Sequence, residues 1–224
     1  GVQEVSIVAI DKAGNESYAV SKVTVVDSKR PSVVTRNIEI ELDENGNAVL
    51  RVEQIDNGTS DNCSIVKYEL SKSRFSCSDL GVNEVTLRAI DSSGNSSESS
   101  ASVTVVDKTL PKIVTRDYVV DLDIDGRARL NADELYSSIT DNCELKSVVA
   151  SPLVFTCADI GEQIVTITAV DYSDNISEAE VKVNVRDSEN PVIRTKDISI
   201  ELDASGKAVS RPLDVDDGSR DNCG

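Results

Sequence analysis

The chain has 224 residues, with 40 Asp and Glu against 23 Lys and Arg, and a formal net charge of −17. This charge argues against nucleic acid and anionic membrane surfaces as partners, because binding to phosphate needs clustered Lys and Arg. No apolar run approaches the length of a membrane span, so no membrane insertion is expected in this segment. No signal peptide precedes Gly1, and any targeting segment is expected to lie outside these residues.

The sequence repeats itself with a step of 80 residues. The motifs AIDKAGNES, AIDSSGNSS and AVDYSDNIS begin at Ala9, Ala89 and Ala169, and the motif DNC begins at Asp61, Asp141 and Asp221. The phase of the repeat predicts complete modules at 27–106 and 107–186. It predicts the C-terminal part of a truncated module at 1–26 and the N-terminal part of another at 187–224. The chain is therefore expected to be a window on a longer array.

Each module is predicted to be all β. Taken in chain order, the strand segments of the first complete module are residues 38–42, 48–52, 65–70, a short one from Phe75, 85–90 and 102–106. The first two flank the turn DENG and alternate apolar and polar residues, which predicts a hairpin with one apolar face. A linear array needs an odd number of strands per module. A seventh is expected as a split first strand at 32–36 or as a crossover around 71–79.

The fold class that follows is a linear array of immunoglobulin-like β-sandwich modules with an 80-residue period. The chain has no Trp, 5 Tyr and 2 Phe, so Val, Ile and Leu must fill a small core between two sheets.

The cysteines predict one disulfide per module. Cys63 and Cys77 are 14 residues apart, as are Cys143 and Cys157, and Cys223 is expected to have its partner outside the chain. The pairs Cys63–Cys77 and Cys143–Cys157 would each stabilise a module by about 3 kcal/mol and would indicate an oxidising compartment. Buried free thiols are the alternative. Zinc is disfavoured because the chain has no His and no CxxC pair.

The sandwich topology predicts a calcium site at the entry end of each module, where the last hairpin loop, the DNC loop and the linker Asp would converge. Oxygen ligands without sulfur or imidazole suit Ca²⁺, which extracellular modules bind at roughly 10⁻⁴ to 10⁻³ M. The predicted ligands of the first two junctions are Asp27, Asp61, Asn62, Asp91 and Asn95, and Asp107, Asp141, Asn142, Asp171 and Asn175. The corresponding residues of the truncated modules are Asp187, Asp221, Asp11 and Asn15.

A turn without metal is the alternative explanation of this loop. The pattern D-x-x-G-N makes a good hairpin connection by itself, with Gly in the left-handed region. In the third copy Asp174 replaces the glycine while the flanking Asp171 and Asn175 remain. The acidic turns that begin at Asp43, Asp123 and Asp203 are expected at the exit end, where they could donate an oxygen across the junction.

The succession VVDxxxP, LDxxG, DNC, F-x-C-x-D-[LI]-G, VTLxAID-x-x-G-N and SVTVV resembles the hyalin-repeat (HYR) module. It is most similar to the tandem forms in giant surface adhesins of Bacteroidota, including gliding-motility adhesins. The resemblance covers the whole chain and implies an immunoglobulin-like sandwich, an extracellular or cell-surface location, and a role in adhesion or as a stalk. Asp174, in place of the loop glycine, and Tyr136, in place of Asp56 and Asp216, depart from the pattern.

The function expected from these features is that of a structural stalk, stiffened by calcium at the junctions between neighbouring modules. The alternatives are repeats that self-associate into a filament, or repeats that bind a glycan or a protein directly. The scarcity of aromatic side chains argues against glycan binding. Catalysis is not expected, because without His there is no Ser-His-Asp or Cys-His arrangement.

Overall fold

The computed structural model describes residues 1–224, which form two compact units, Gly1–Lys108 and Thr109–Gly224. Each unit is described by itself. Their regular secondary structure is almost entirely β-strand, which confirms the predicted all-β fold. The predicted module boundary before residue 27 falls in a stretch without regular secondary structure, and those before residues 107 and 187 fall where strands end, at Val106 and Arg186.

The first unit contains eight strands and one short helix. They are β1 (Val2–Ile10), β2 (Glu16–Thr24), β3 (Ile38–Glu41), β4 (Asn47–Val49), α1 (Val52–Ile55), β5 (Ile65–Leu70), β6 (Arg74–Ser76), β7 (Gly81–Asp91) and β8 (Ser96–Val106). A 3₁₀ turn follows β6 at Cys77–Asp79. Strands β1 and β2 form an antiparallel hairpin with each other.

Residues 27–106 form two layers of sheet. The larger sheet has the order β3-β8-β7-β5, and the smaller one pairs β4 with β6. Strand β3 runs parallel to β8, whereas β7 is antiparallel to both of its neighbours. From Val85 in β7 and from Ala101 in β8, every second residue is buried, as the period of two in a strand predicts.

The core of this module is aliphatic, as predicted. Its buried side chains include Val85, Leu87 and Val103 from the larger sheet, each 0% exposed, and Phe75 from the smaller one. Helix α1 adds Ile55, also 0% exposed. Phe75 is therefore the single large aromatic side chain buried in this module, and Val, Ile and Leu fill most of the space between the sheets.

The second unit repeats this plan in its residues 109–186. Its strands are β9 (Lys112–Thr115), β10 (Tyr118–Asp121), β11 (Arg127–Arg129), β12 (Tyr136–Thr140), β13 (Leu145–Ser151), β14 (Val154–Thr156), β15 (Gly161–Asp171) and β16 (Ile176–Arg186). The larger sheet has the order β10-β16-β15-β13, and two-stranded sheets pair β11 with β14 and β12 with β9. There are 3₁₀ turns at Ala132–Glu134 and Cys157–Asp159, and helix α2 covers Pro212–Val215.

The seventh strand is a split first strand, one of the two positions predicted. Strand β9 pairs with β12 in one sheet, and β10 pairs with β16 in the other. In the first unit the same positions make isolated bridges, from Ser32 to Ser60 and from Thr35 to Asp56. The chain thus changes sheets within about the first fifteen residues of each complete module.

The predicted hairpin of residues 38–42 and 48–52 is wrong. The tight turn exists, since the Asp43 N–H donates to the Asn47 carbonyl at 2.8 Å. However, β3 pairs with β8 and β4 pairs with β6, so the two strands belong to different sheets. Leu42 and Leu50, on either side of the turn, are 3% and 2% exposed in the core between those sheets. Alternation shows that a strand buries one face but does not identify its partner.

Candidate metal centre

The loop between β7 and β8 is a complete hydrogen-bonded turn. Asp91 Oδ1 accepts from the backbone N–H groups of Ser93 and Asn95 at 2.8 Å, and Asp91 Oδ2 accepts from Asn95 Nδ2 at 2.8 Å. Gly94 has φ +89°, in the left-handed region that glycine adopts without strain. These bonds need no ion, so the turn chemistry alone explains the D-x-x-G-N pattern.

Two other loops have the same bonds. In the loop between β15 and β16, Asp171 and Asn175 reproduce those of Asp91 and Asn95, although Asp174 now takes the positive φ of 64°. In the loop between β1 and β2, Asp11 and Asn15 do so as well. The Asp11 loop is exposed, and nothing beyond the turn is assembled around it.

What distinguishes Asp91 from Asp11 is its surroundings. Asp91 is 1% exposed. Its partner Asn95 donates from Nδ2 to the backbone carbonyl of Asp27 at 3.2 Å, and Asn62 donates from Nδ2 to Asp27 Oδ1 at 3.2 Å. The structure therefore brings together the linker, the DNC loop and the last hairpin loop, as the topology predicted.

Two carboxylate oxygens in this group have no hydrogen-bond partner. Asp27 and Asp61 each place a carboxylate oxygen within 4.8 Å of the other and of Cys63 Sγ. Asp61 Oδ2 accepts from the Cys63 N–H at 2.8 Å, but Asp61 Oδ1 and Asp27 Oδ2 are buried and accept nothing. Buried ionised oxygens are normally paired or bound to a metal, so these residues fit a hard cation.

The electrostatics favour the ionised forms of Asp27 and Asp91. The backbone N–H of Lys29 and the side chain of Asn62 lower the pKa of Asp27. Burial raises the pKa of Asp91 and so does the nearby Asp27, but the hydrogen bonds from Asn95 and Ser93 outweigh them and the net pKa is lowered. Two of the carboxylates thus favour their anionic form, and repulsion between them is left for a cation to relieve.

The thiol of Cys63 lies against the same acidic groups. Cys63 is a free, exposed cysteine. The adjacent Asp27 carboxylate raises the pKa of the Cys63 thiol, and burial and the negative charges of Asp61 and Asp91 raise it further. Calcium does not use sulfur ligands, so the oxygens of this group, and not the thiol, suit that ion.

The second unit carries the same arrangement. Carboxylate oxygens of Asp141 and Asp171 lie within 4.8 Å of each other, and Asp171 is 1% exposed. Asp141 Oδ2 accepts from the Cys143 N–H at 3.0 Å, as Asp61 does from Cys63. The predicted ligands Asn142, Asn175 and Asp107 occupy the positions of Asn62, Asn95 and Asp27 in the 80-residue repeat. Asp107 is 6% exposed.

A third group consists of Asp187, Asp221 and Asn222, in the partial module that follows residue 186. Asn222 Nδ2 donates to Asp187 Oδ1 and to the backbone carbonyl of Asp123, both at 3.1 Å. Asp221 Oδ1 and Asn222 Oδ1 are buried and have no hydrogen-bond partner. Asp187 and Asp221 were predicted ligands, whereas Asn222 was missed although it has the phase of Asn62. The Asp123 carbonyl belongs to the turn that was expected at the exit end of the preceding module.

The predicted disulfide pairing is wrong. Cys157 is bonded to Cys223, 66 residues away, and not to Cys143, so the prediction that the partner of Cys223 lies outside the chain is wrong as well. Cys77 and Cys143 are also disulfide-bonded, while Cys63 is free, so Cys63–Cys77 is wrong too. The reason is geometric. The seven residues of β13 separate Cys143 from Cys157, and a strand of that length spans about 23 Å, whereas bridged Cα atoms lie within about 7 Å.

The Cys157–Cys223 disulfide joins one 80-residue repeat to the next. Cys157 follows β14 in the module 107–186, and Cys223 belongs to the DNC loop of the partial module that follows. A cross-link that closes a loop of this length is worth about 4 kcal/mol in the chain-entropy model. The bond therefore stabilises the contact between consecutive repeats more directly than the interior of either one.

No protein-family model and no curated protein matches the chain. Among solved structures it is similar to the EC1–4 fragment of Drosophila N-cadherin, with 14% identity, a TM-score of 0.39 and coverage of 83% of this chain and 58% of that one. It is also similar to the EC3–6 fragment of protocadherin gammaB7, with 14% identity, a TM-score of 0.36 and coverage of 90% and 60%. The chain spans 60% of the first solved chain it matches. These similarities are too low to transfer a function.

None of the helices in this structure has both the length and the apolar character needed to cross a membrane. The two helices, α1 and α2, have four residues each.

Proposed function

We propose that this chain is a structural stalk segment of a large extracellular or cell-surface adhesin, in which Ca²⁺ bound at the module junctions stiffens the array. The observation that carries the proposal is the pair of buried oxygens, Asp27 Oδ2 and Asp61 Oδ1, that have no hydrogen-bond partner, in a group that Asn95 links to the buried Asp91. Ca²⁺ would supply the positive charge that these anions lack.

The residues that would hold the ion are identified by their side-chain oxygens. Asp27 and Asp61 each have one uncommitted oxygen, and Asp91 is held in place by the turn bonds of Asn95. Asp107, Asp141 and Asp171 have the same phase in the repeat as Asp27, Asp61 and Asp91, and Asp187, Asp221 and Asn222 belong to the third group. The ligands come from three separate segments: the linker, the DNC loop and the last hairpin loop. One ion would therefore connect segments that are otherwise joined by few hydrogen bonds.

The disulfides support an extracellular location for the stalk. Such bonds persist in oxidising compartments and are rare where thiols are kept reduced. The resemblance to hyalin repeats supports a cell-surface adhesin. The acidic composition supports monomeric modules at low calcium, since like charges on two chains repel each other.

Calorimetric titration with CaCl₂ tests the ligand assignment. The Asp91→Asn variant should lose one calcium ion relative to the parent, because Asp91 lies beside Asp27 and Asp61. The Asp11→Asn variant is the matched control, since Asp11 makes the same turn bonds in an exposed loop. It should keep the stoichiometry of the parent. An equal number of bound calcium ions in the parent and in both variants would refute the assignment of Asp91 to a calcium site.

Small-angle X-ray scattering tests the mechanical role. The parent chain should have a longer persistence length in millimolar CaCl₂ than with excess chelator. The Asp91→Asn variant should show a smaller change in persistence length between these two conditions. An unchanged scattering profile together with bound calcium would leave a cation site but refute stiffening.

A further inference from the structure

The DNC loop at Asp221 carries both the oxygens of the third cation group and one half of a disulfide. Asp221 Oδ1 and Asn222 Oδ1 are the buried oxygens without partners, and the next residue, Cys223, is bonded to Cys157. The Cys223 N–H donates to Asp221 Oδ2 at 3.3 Å. The position of Cys223 therefore sets the direction in which the Asp221 carboxylate points.

The loop is also held on its other side by the preceding module. Asn222 Nδ2 donates to the Asp123 carbonyl at 3.1 Å. The backbone of Gly126, in the same turn as Asp123, approaches so closely that a Cβ there would lie 2.5 Å from Cys157 Sγ and 2.9 Å from the Asn222 carbonyl oxygen. The turn, the disulfide and the DNC loop thus form one closely packed contact between the two repeats.

We propose that the Cys157–Cys223 disulfide positions the oxygens of Asp221 and Asn222 for a divalent cation, so that cation binding and the redox state of this disulfide are thermodynamically coupled. The inference rests on the proposed calcium function. Such coupling is reciprocal. If reduction of the disulfide lowers the calcium affinity by a given factor, bound calcium lowers the equilibrium constant for reduction by the same factor.

The redox step is an ordinary thiol–disulfide exchange. A dithiol reductant attacks one sulfur, and a second attack closes the reductant into a cyclic disulfide. The Cys157–Cys223 bond breaks, two electrons and two protons pass to the cysteines, and the reductant is oxidised. The DNC loop is then held to the preceding module only by noncovalent contacts, which include the hydrogen bond from Asn222 to the Asp123 carbonyl and the approach of Cys157 Sγ to the Asn222 carbonyl oxygen.

The first junction supplies an internal control. Asp61 Oδ2 accepts from the Cys63 N–H at 2.8 Å, which is the same contact as between Asp221 and Cys223. Cys63 is free, however, so no disulfide in this chain holds that loop. The group of Asp27 and Asp61 should therefore bind calcium with the same affinity whether or not a reductant is present.

The experiment is a calcium titration of the whole chain by calorimetry, oxidised and then in dithiothreitol. Reduction should weaken at least one site by roughly tenfold, while a site that the Asp61→Asn variant removes should be unchanged. The Cys157→Ser/Cys223→Ser double variant should reproduce the weakening at the Asp221 site without reductant. Circular dichroism checks that this variant keeps its strands.

The reciprocal measurement does not depend on the folding of a cysteine variant. The midpoint of Cys157–Cys223 reduction in dithiothreitol buffers, followed by peptide mapping, should shift toward stronger reducing conditions when CaCl₂ replaces chelator. The Asp221→Asn variant should abolish that shift. Equal calcium affinity in both redox forms, with an unshifted midpoint, would overturn the coupling and leave the calcium function standing. Absence of calcium binding to the oxidised chain would overturn both.

Discussion

Replacing Gly126 with Ala should selectively weaken the contact between the module 107–186 and the residues that follow it. Gly126 has φ +68°, where an Ala is strained by about 1–2 kcal/mol. Its new Cβ would also overlap Cys157 Sγ and the Asn222 carbonyl oxygen, at 2.5 and 2.9 Å. Neither is the flexible end of a side chain, so relief of the overlap requires a backbone shift that costs about 1–3 kcal/mol. The sum is about 2–5 kcal/mol.

Gly206→Ala is the matched control for this prediction. Gly206 is the equivalent residue one repeat later, with φ +77°, but no atom lies within 4 Å of the position of its Cβ. It should cost no more than the strain of about 1–2 kcal/mol. Urea unfolding of both variants measures the difference, and peptide mapping measures the fraction of Cys157–Cys223 that forms. Equal destabilisation of the two variants, with the disulfide fully formed in each, would refute the close approach.

Three further predictions concern the loops. Asp61→Asn should raise the stability of the chain in chelator, because it removes a negative charge beside Asp27, and it should abolish the stabilisation by calcium. Circular dichroism melts with and without CaCl₂ measure both effects, and a calcium response equal to that of the parent would contradict the prediction. Asp174→Gly should stabilise the chain by up to about 1 kcal/mol in urea unfolding, because glycine relieves the positive φ and the exposed ion pair with Lys146 adds little. Below about pH 4 the stability in chelator should fall, since the pKa values of Asp27 and Asp91 are lowered in the folded state, and the unfolded chain binds protons first as the pH drops. A urea midpoint that rises between pH 5 and pH 3 would show that this sign is wrong.

The repeat and the alternation of apolar residues were enough to predict the strands and the entry-end loops. The sequence places an apolar residue at every second position of 85–89 in β7 and of 101–105 in β8, and the structure buries those positions. The same signal placed Asp27, Asn62 and Asn95 together, because the order of strands in a sandwich fixes which loops share an end. Asn222 could have been found in the same way, from its phase in the repeat.

The partner of each strand was decided by tertiary structure. Residues 198–202 read ISIEL, close to the IEIEL of 38–42, yet they form no strand. Strand β3 is a strand because it pairs with β8, which lies about 60 residues later in the chain, and residues 198–202 have no such partner here. Likewise β1 and β2 pair in the register of β7 and β8, but their apolar side chains, such as Ile7, are exposed because no second sheet covers them.

The disulfide pairing shows most clearly what the sequence by itself determined. Composition and spacing established that the cysteines recur once per DNC motif and once per F-x-C motif, in a chain built of β modules. Only the tertiary structure decided which sulfur meets which, because β13 carries Cys157 away from Cys143 and toward Cys223 of the next repeat. Short separation along an extended strand means large separation in space, since each residue adds about 3.3 Å. The module 107–186 instead meets the DNC loop of the partial module that follows it, where a disulfide lies beside the buried side-chain oxygens of Asp221 and Asn222.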